Sequence, residues 1–323
     1  MNAASDAEVG STPAAATLVH HADAVEAHKG HVAHMATASD GSHAAAGFCT
    51  QLYALSSREA LYIWRNKPGL IASILVPLLL NFFFAGIFGG SGDTSADGYS
   101  LQGHFGGVAQ VAIGAMFGAA QPLLLRFPLD RGIFLREYAT STYGAVPYFL
   151  SKTVVEVPQQ FNQALLVMVA FYFVAGLQGS FIIHVVVLWL TSMAAASTAL
   201  LVGCLAPNAE VAIQSSPPIF VLQLLFAGVF IPTSRIPEGL RWIQYLCSLK
   251  YGINLIAINE FGNATQIAND WTPAQRAGAD FFLEGIDVKP DEWWIYLIVL
   301  LSLLCFFRTL AVVALSRRAS AFF

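Results

Sequence analysis

Five charged side chains lie in one short segment, between two long apolar stretches of the chain. They are Arg126, Asp130, Arg131, Arg136 and Glu137. Such groups form ion pairs, and each would cost about 2.5–3.5 kcal/mol at the centre of a bilayer. Segment 126–138 is therefore predicted to be an amphipathic element that lies on the membrane surface or contacts a soluble partner. A helix face that is merely solvated is the alternative.

Side chains suited to covalent chemistry are scattered along the chain. Glu156, His184 and Ser197 lie within or near apolar stretches, but Glu156 belongs to a different predicted helix from the other two and no motif relates them. A membrane hydrolase or acyltransferase needs a nucleophile, a base and an acid at one depth of the membrane. The sequence therefore disfavours an enzyme of this class.

A phosphate-binding loop is also not found in the sequence. A Walker A loop reads Gly-x-x-x-x-Gly-Lys-Ser/Thr, so that backbone N–H groups cradle the phosphates. Lys152 is followed by threonine, but Ser151 precedes it where the motif requires glycine. The glycine-rich stretch 89–92 has no lysine after it. The chain is therefore predicted not to bind or hydrolyse ATP by this apparatus.

The elements that position these side chains are apolar stretches long enough to span a membrane. Apolar residues make up 56% of the chain and charged residues 11%, whereas a soluble domain carries about 25% charged residues. The mean hydropathy is +0.61. A spanning helix needs about 20 apolar residues. Six spans are predicted, at residues 69–88, 105–125, 154–175, 181–205, 211–230 and 293–315.

Residues 1–47 have a different composition, rich in Ala, Ser and His. They have no periodic apolar face and are predicted to be a disordered cytoplasmic tail. The tail holds six of the eight histidines, but no metal site is predicted, because the stretch offers neither cysteine nor a folded scaffold. Residues 51–67 are predicted to form an interfacial helix before the first span.

Lysine and arginine cluster before the first span, between the second and third, and after the sixth. By the positive-inside rule both termini are predicted to be cytoplasmic. Residues 231–292 then form an outer loop, predicted to fold into short helices, with a glycosylation acceptor at Asn263. Arg308, in the sixth span, is predicted to snorkel to the inner head groups; a role in an ion pathway is the alternative.

An ordered set of short motifs carries a family resemblance. Residues 48–323 resemble the membrane domain of the G-subfamily ABC transporters, the White and pleiotropic-drug-resistance group. The matching motifs are Asp130-Arg131-x-x-Phe134-x-Arg136-Glu137-Tyr138, Tyr148 to Lys152, Glu156-Val-Pro158, Phe226-Ala-Gly228, Ile236-Pro237 and Asn259-Glu-Phe261.

The resemblance implies an all-α integral membrane protein, with the six transmembrane helices of a type II ABC exporter domain. It also implies an N-terminal interfacial helix and a cytoplasmic coupling helix, in a plasma membrane or another secretory-pathway membrane. The implied activity is export of lipids, sterols or xenobiotics by alternating access, in a homo- or heterodimer.

In the family a nucleotide-binding domain precedes this region. ATP and Mg²⁺ are therefore expected on a partner, an ABC nucleotide-binding protein or a complete half-transporter, and no cofactor or nucleic acid on this chain. A non-transporting dimerisation partner or regulator of complete half-transporters is the alternative function.

The resemblance also implies two sets of site residues. Coupling to the ATPase is expected at Asp130, Arg131, Phe134, Arg136, Glu137 and Tyr138. The substrate cavity is expected at Met116, Phe117, Gly118, Pro217 and Val221, with Val229 and Phe230 as an outer plug. For each cavity residue, simple helix packing is the alternative.

Overall fold

The computed structural model describes residues 47–91, 100–140, 142–230, 236–262 and 273–320. Residues 48–323 form one compact unit. Almost all of the predicted tail lies outside the described residues, as does the predicted glycosylation site at Asn263.

The described chain is helical throughout its regular structure. Its α-helices are α1 (Phe48–Arg65), α2 (Lys67–Ile87), α3 (Leu101–Ala139), α4 (Ala145–Ala175), α5 (Phe181–Leu205), α6 (Ala209–Phe226), α7 (Ser248–Phe261), α8 (Pro273–Gly285) and α9 (Trp293–Ser320). Two 3-10 helices, Glu238–Leu246 and Pro290–Glu292, lie in the segment between α6 and α9.

Local sequence signals explain where several helices begin and end. Asn66, Ser100 and Asn208 precede α2, α3 and α6, and each side chain accepts a hydrogen bond from the backbone N–H three residues on, at 3.3, 3.3 and 2.9 Å. These caps satisfy N–H groups that have no partner within the helix. Gly176 ends α4 with φ 73°, a left-handed conformation that glycine adopts without strain.

Five helices of the described chain are long and apolar enough to cross a membrane: α2, α3, α5, α6 and α9. These correspond to five of the six predicted spans. The third predicted span lies in α4, whose first half carries Lys152, Glu156 and several glutamines that lower its hydropathy. Five spans are thus supported by length and composition, and the count of six remains a prediction.

Helix α5 lies at the centre of the bundle, in contact with α3, α4, α6, α7 and α9. Its second half is built from small residues, including the buried run Ala194–Ala196, and small side chains let neighbouring helices approach closely. The contact with α7 is close. A Cβ atom added at Gly252 of α7 would lie 2.2 Å from the Thr191 hydroxyl, so only glycine fits there.

Helix α3 differs from its prediction as a span followed by a separate surface helix. It is one continuous helix of 39 residues, which is roughly 58 Å long, whereas the hydrocarbon core is about 30 Å thick. Pro122 and Pro128 lie inside the helix without ending it. The charged segment 126–138 therefore extends the second span instead of lying as its own element.

The segment between α6 and α9 is largely helical in its described parts, residues 236–262 and 273–292, in agreement with the prediction of short helices there. Helix α7 is buried along nearly its whole length, against α3, α5 and α9. A buried helix of this kind requires partners for its polar side chains, and these partners are described below.

Candidate functional site

A group of four charged side chains, here called the charge cluster, joins α1, α3 and α4. It consists of Glu59, Arg126, Asp130 and Lys152. The Lys152 ammonium lies 2.8 Å from a Glu59 oxygen and 2.6 Å from an Asp130 oxygen. Arg126 pairs with Glu59 and lies 3.4 Å from Asp130. All four side chains are at least two-thirds buried. Asp130, predicted to dock a partner, is thus engaged within the chain.

Glu137 is held in a second set of contacts, between α1 and the start of α4. Arg58 donates to its carboxylate at 2.9 Å, and the Tyr143 hydroxyl donates to it as well. Burial and the hydrogen bond to Glu137 raise the pKa of Tyr143 to about 12. Tyr143 therefore stays protonated at neutral pH and acts as a donor.

Arg131 is buried and caps the end of α5. Its guanidinium donates to the carbonyl oxygens of Ala206 at 2.5 Å and Pro207 at 2.6 Å, with longer bonds to Gly203 and Cys204. The last carbonyls of a helix have no partner within it. Arg131 supplies donors here together with Arg318 of α9, which donates to Cys204, Leu205 and Ala206. This placement differs from the predicted docking role, because the charge faces the inside of the bundle.

The aromatic residues of the charged segment belong to the core. Phe134 is fully buried and stacks on Tyr148 at 4.5 Å between ring centroids, while Tyr138 lies 5.6 Å from it. Arg136, in contrast, is exposed. Of the six predicted coupling residues, Arg136 is the one that the structure leaves fully accessible to a partner.

A buried ion pair joins α9 to α4 inside the bundle. Arg308 lies 2.8 Å from a Glu156 oxygen and also donates to the hydroxyls of Ser197 at 3.1 Å and Thr153 at 2.5 Å. The prediction that Arg308 snorkels to the head groups is wrong, because these partners turn the side chain inward. Glu156 and Ser197, which are far apart in the sequence, thus both contact Arg308, whereas His184 lies in a different polar group.

His184 lies in a third polar group, around Glu260 of α7. One Glu260 oxygen is 2.8 Å from His104 of α3, and the other is 3.3 Å from His184 of α5. The backbone N–H groups of Gln178 and Gly179 donate to the same carboxylate, both at 2.9 Å. Sequence reasoning missed this group, although Glu260 lies in a quoted motif and His104 is a lone histidine beside an apolar run.

The predicted cavity residues fall into three environments. Met116 is fully buried in the core, and Phe117 packs its ring 5.4 Å from that of Phe220. Gly118 faces a small cavity against α4. Pro217 and Val221 lie on an exposed face of α6.

The predicted outer plug lies just beyond the end of α6. Val229 is partly buried and Phe230 is 62% exposed. The structure thus brings α3 and α6 together at Phe117, while the exposed α6 face and Phe230 remain uncovered in the single chain.

Comparison with known proteins places this arrangement in a family. Residues 50–261 match the family model described as ABC-2 type transporter. The chain is 25% identical over 261 residues to the ABC transporter G family member 52 of rice, covering 79% of this chain and 18% of that protein.

The matches to two animal proteins cover a larger share of the chain. The chain is 24% identical over 279 residues to the bovine broad substrate specificity ATP-binding cassette transporter ABCG2. It is 29% identical over 289 residues to the Caenorhabditis elegans ABC transporter ATP-binding protein/permease wht-1. These matches cover 83% and 85% of this chain but 42% of each relative. The matches therefore span 18% to 42% of the length of these relatives.

The family model covers more than half of the chain, and the relatives are G-family transporters matched over most of its length. The matched part is the membrane domain, a transport subunit and not the ATPase. The chain therefore belongs to the ABC-2 type transporter family, as a helical membrane domain of the kind found in G-family ABC transporters.

Proposed function

We propose that this chain is the membrane-spanning subunit of an ABC exporter for hydrophobic or amphipathic molecules. A nucleotide-binding domain on a partner chain would bind ATP and Mg²⁺ and drive alternating access in a dimer. The observation that carries the proposal is the length of α3, which continues past the hydrocarbon thickness as a charged helix and presents Arg136 at its end.

The contacts around this end suit the transmission of a movement. The charge cluster fixes α3 to α1 and α4, and Arg131 fixes it to the end of α5. A domain that pushes on the exposed surface near Arg136 would therefore move four helices together. Ion pairs and hydrogen bonds between rigid helices are a physical basis for such coupling.

The cargo class is inferred from the side chains near the expected dimer axis. Phe117, Val221 and Phe230 are apolar, and the nearest charged residues along α3 and α6, Arg126 and Glu210, lie toward one end of these helices. Such a surface gains affinity from buried apolar area, at roughly 25 cal/mol per Å². It favours lipids, sterols or xenobiotics over ions and small polar metabolites.

Reversing the charge of Arg136 is expected to weaken ATPase docking at least about tenfold, because an ion pair across an interface would become a repulsion. The measurement is the amount of ABC ATPase that co-purifies with the tagged protein from its native membranes. Arg136→Glu is compared with Arg276→Glu, an exposed arginine of α8 in the predicted outer segment.

Equal ATPase yields from the wild type and both variants would contradict the docking role of Arg136. Co-purification of a complete half-transporter, with no transport by the complex, would favour the regulatory function over the exporter.

Both termini are expected on the cytoplasmic side, because lysine and arginine cluster before the first predicted span, between the second and third, and after the sixth. The measurement is protease protection in sealed vesicles with the cytoplasmic side outward. Tags at both ends should be cleaved without detergent. Cleavage that begins only after permeabilisation would reverse the assigned orientation.

A further inference from the structure

A small cavity lies where α1, α3 and α4 meet, inside a single chain. Its volume is about 100 Å³. Several residues between 118 and 130 of α3, and several between 152 and 163 of α4, line it. These residues span roughly 18 Å along α3 at 1.5 Å per residue, which is about the depth of one leaflet. The charge cluster lies in the wall at one end, and Gly118 lies at the other.

Glu156 in the cavity wall has an unfilled hydrogen-bonding position. The residue is 9% exposed, and Arg308 occupies its oxygen Oε2 at 2.8 Å. The other oxygen, Oε1, is buried and accepts no hydrogen bond from the described part of the chain. Buried polar atoms in proteins nearly always have a partner. A donor from outside the chain would complete this carboxylate.

Three glutamines of α4 extend the polar surface of the same cavity. They are Gln159, Gln160 and Gln163. Gln160 is 7% exposed, and the amide nitrogen of Gln163 lies 3.0 Å from the place of a Cβ on Gly118. An amide offers both donors and acceptors. Polar groups at membrane depth are costly, so a cluster of them that lines a cavity indicates a function.

We propose that this cavity binds the hydrogen-bond-donating head group of an amphipathic molecule, a hydroxyl or an ammonium, with Oε1 of Glu156 as the acceptor. The volume holds a polar head group and a few carbon atoms, so the tail of a long-chain molecule extends into the surrounding lipid. The site lies within one subunit and apart from the dimer-axis surface of Phe117 and Val221. It therefore goes beyond the proposed export function.

The test uses the purified chain in lipid nanodiscs without any ATPase, so its outcome is independent of the export function. The probes are hexadecanol with a photoreactive diazirine near the head group, and its methyl ether, which cannot donate a hydrogen bond. Labelled peptides are identified by mass spectrometry. The alcohol should label the two wall segments at least about tenfold more than the ether, the effect of one bond to a charged acceptor.

Two glycine variants on α3 localise the site. Gly118→Leu fills the cavity and should abolish labelling by the alcohol. Gly132→Leu adds the same side chain where a Cβ meets nothing within 4 Å, and labelling should remain. Gln160→Leu, which leaves the Glu156–Arg308 pair intact, should also reduce labelling and serves if Gly118→Leu does not fold.

Equal labelling by the alcohol and the ether would overturn the proposal, since it would show that the cavity does not recognise a hydrogen-bond donor. Labelling that persists at wild-type level in both Gly118→Leu and Gln160→Leu would overturn it as well.

Discussion

Replacing Arg131 by alanine is expected to lower the free energy of unfolding by about 1.5–3 kcal/mol. Its two short hydrogen bonds reach the carbonyls of Ala206 and Pro207 at 2.5 and 2.6 Å, and a hydrogen bond from a charged donor is worth about 1.5–3 kcal/mol. Arg131 is 7% exposed, so water does not readily replace it. In the alanine variant the Pro207 carbonyl loses this donor, whereas the Ala206 carbonyl keeps the bond from Arg318 at 3.0 Å.

The control is Arg136→Ala, five residues along the same helix and exposed. A surface substitution of this kind usually changes stability by less than about 0.5 kcal/mol. Thermal unfolding in detergent micelles compares the two variants with the wild type. Overlapping unfolding curves for Arg131→Ala and Arg136→Ala would show that Arg131 does not hold the end of α5.

Replacing Arg308 by leucine is expected to destabilise the bundle by about 3–5 kcal/mol, because Glu156 keeps a buried charge without its partner. The side chains of the pair are each 10% exposed, so solvent screens them little. Replacing both residues by leucine should recover much of this loss, since no unpaired charge remains. The hydroxyls of Ser197 and Thr153 lose a donor in either case.

A double-mutant cycle measures the coupling energy between Glu156 and Arg308 directly. It compares the free energies of unfolding of the wild type, Glu156→Leu, Arg308→Leu and the double variant. The expected coupling energy is several kcal/mol, with the double variant more stable than either single one. Strictly additive effects would contradict the account, because they would mean that the two charges do not interact.

The sequence was sufficient for the helices that cross the membrane by virtue of their own composition. Residues 181–205 were predicted as a span, and α5 has these bounds. The run is long enough to span and carries no formally charged residue, which decides this locally. Helix α4 is the opposite case: its polar residues are explained only by what they contact, namely Arg308 and the charge cluster.

Contacts between distant parts of the chain were not predictable from local patterns. Arg308 and Glu156 are 152 residues apart in sequence, and His104 and Glu260 are 156 apart. A buried arginine and a snorkelling one have the same local sequence, since the partner decides between them. The number of exposed charges in segment 126–138 was overestimated for the same reason, because Lys152 of α4, the end of α5 and Arg58 of α1 supply internal partners for Asp130, Arg131 and Glu137, respectively.

The central claim is that this chain moves hydrophobic molecules when an ATPase docks on it. The most direct test reconstitutes this chain and the co-purified ATPase in vesicles and measures the movement of two probes across the membrane. One probe is a fluorescent phospholipid or sterol, and the other is a small hydrophilic solute. Movement of the lipid or sterol that requires ATP, the ATPase and this chain together is the predicted result. Movement of the hydrophilic solute instead, or movement of the lipid or sterol without the ATPase, would contradict the account.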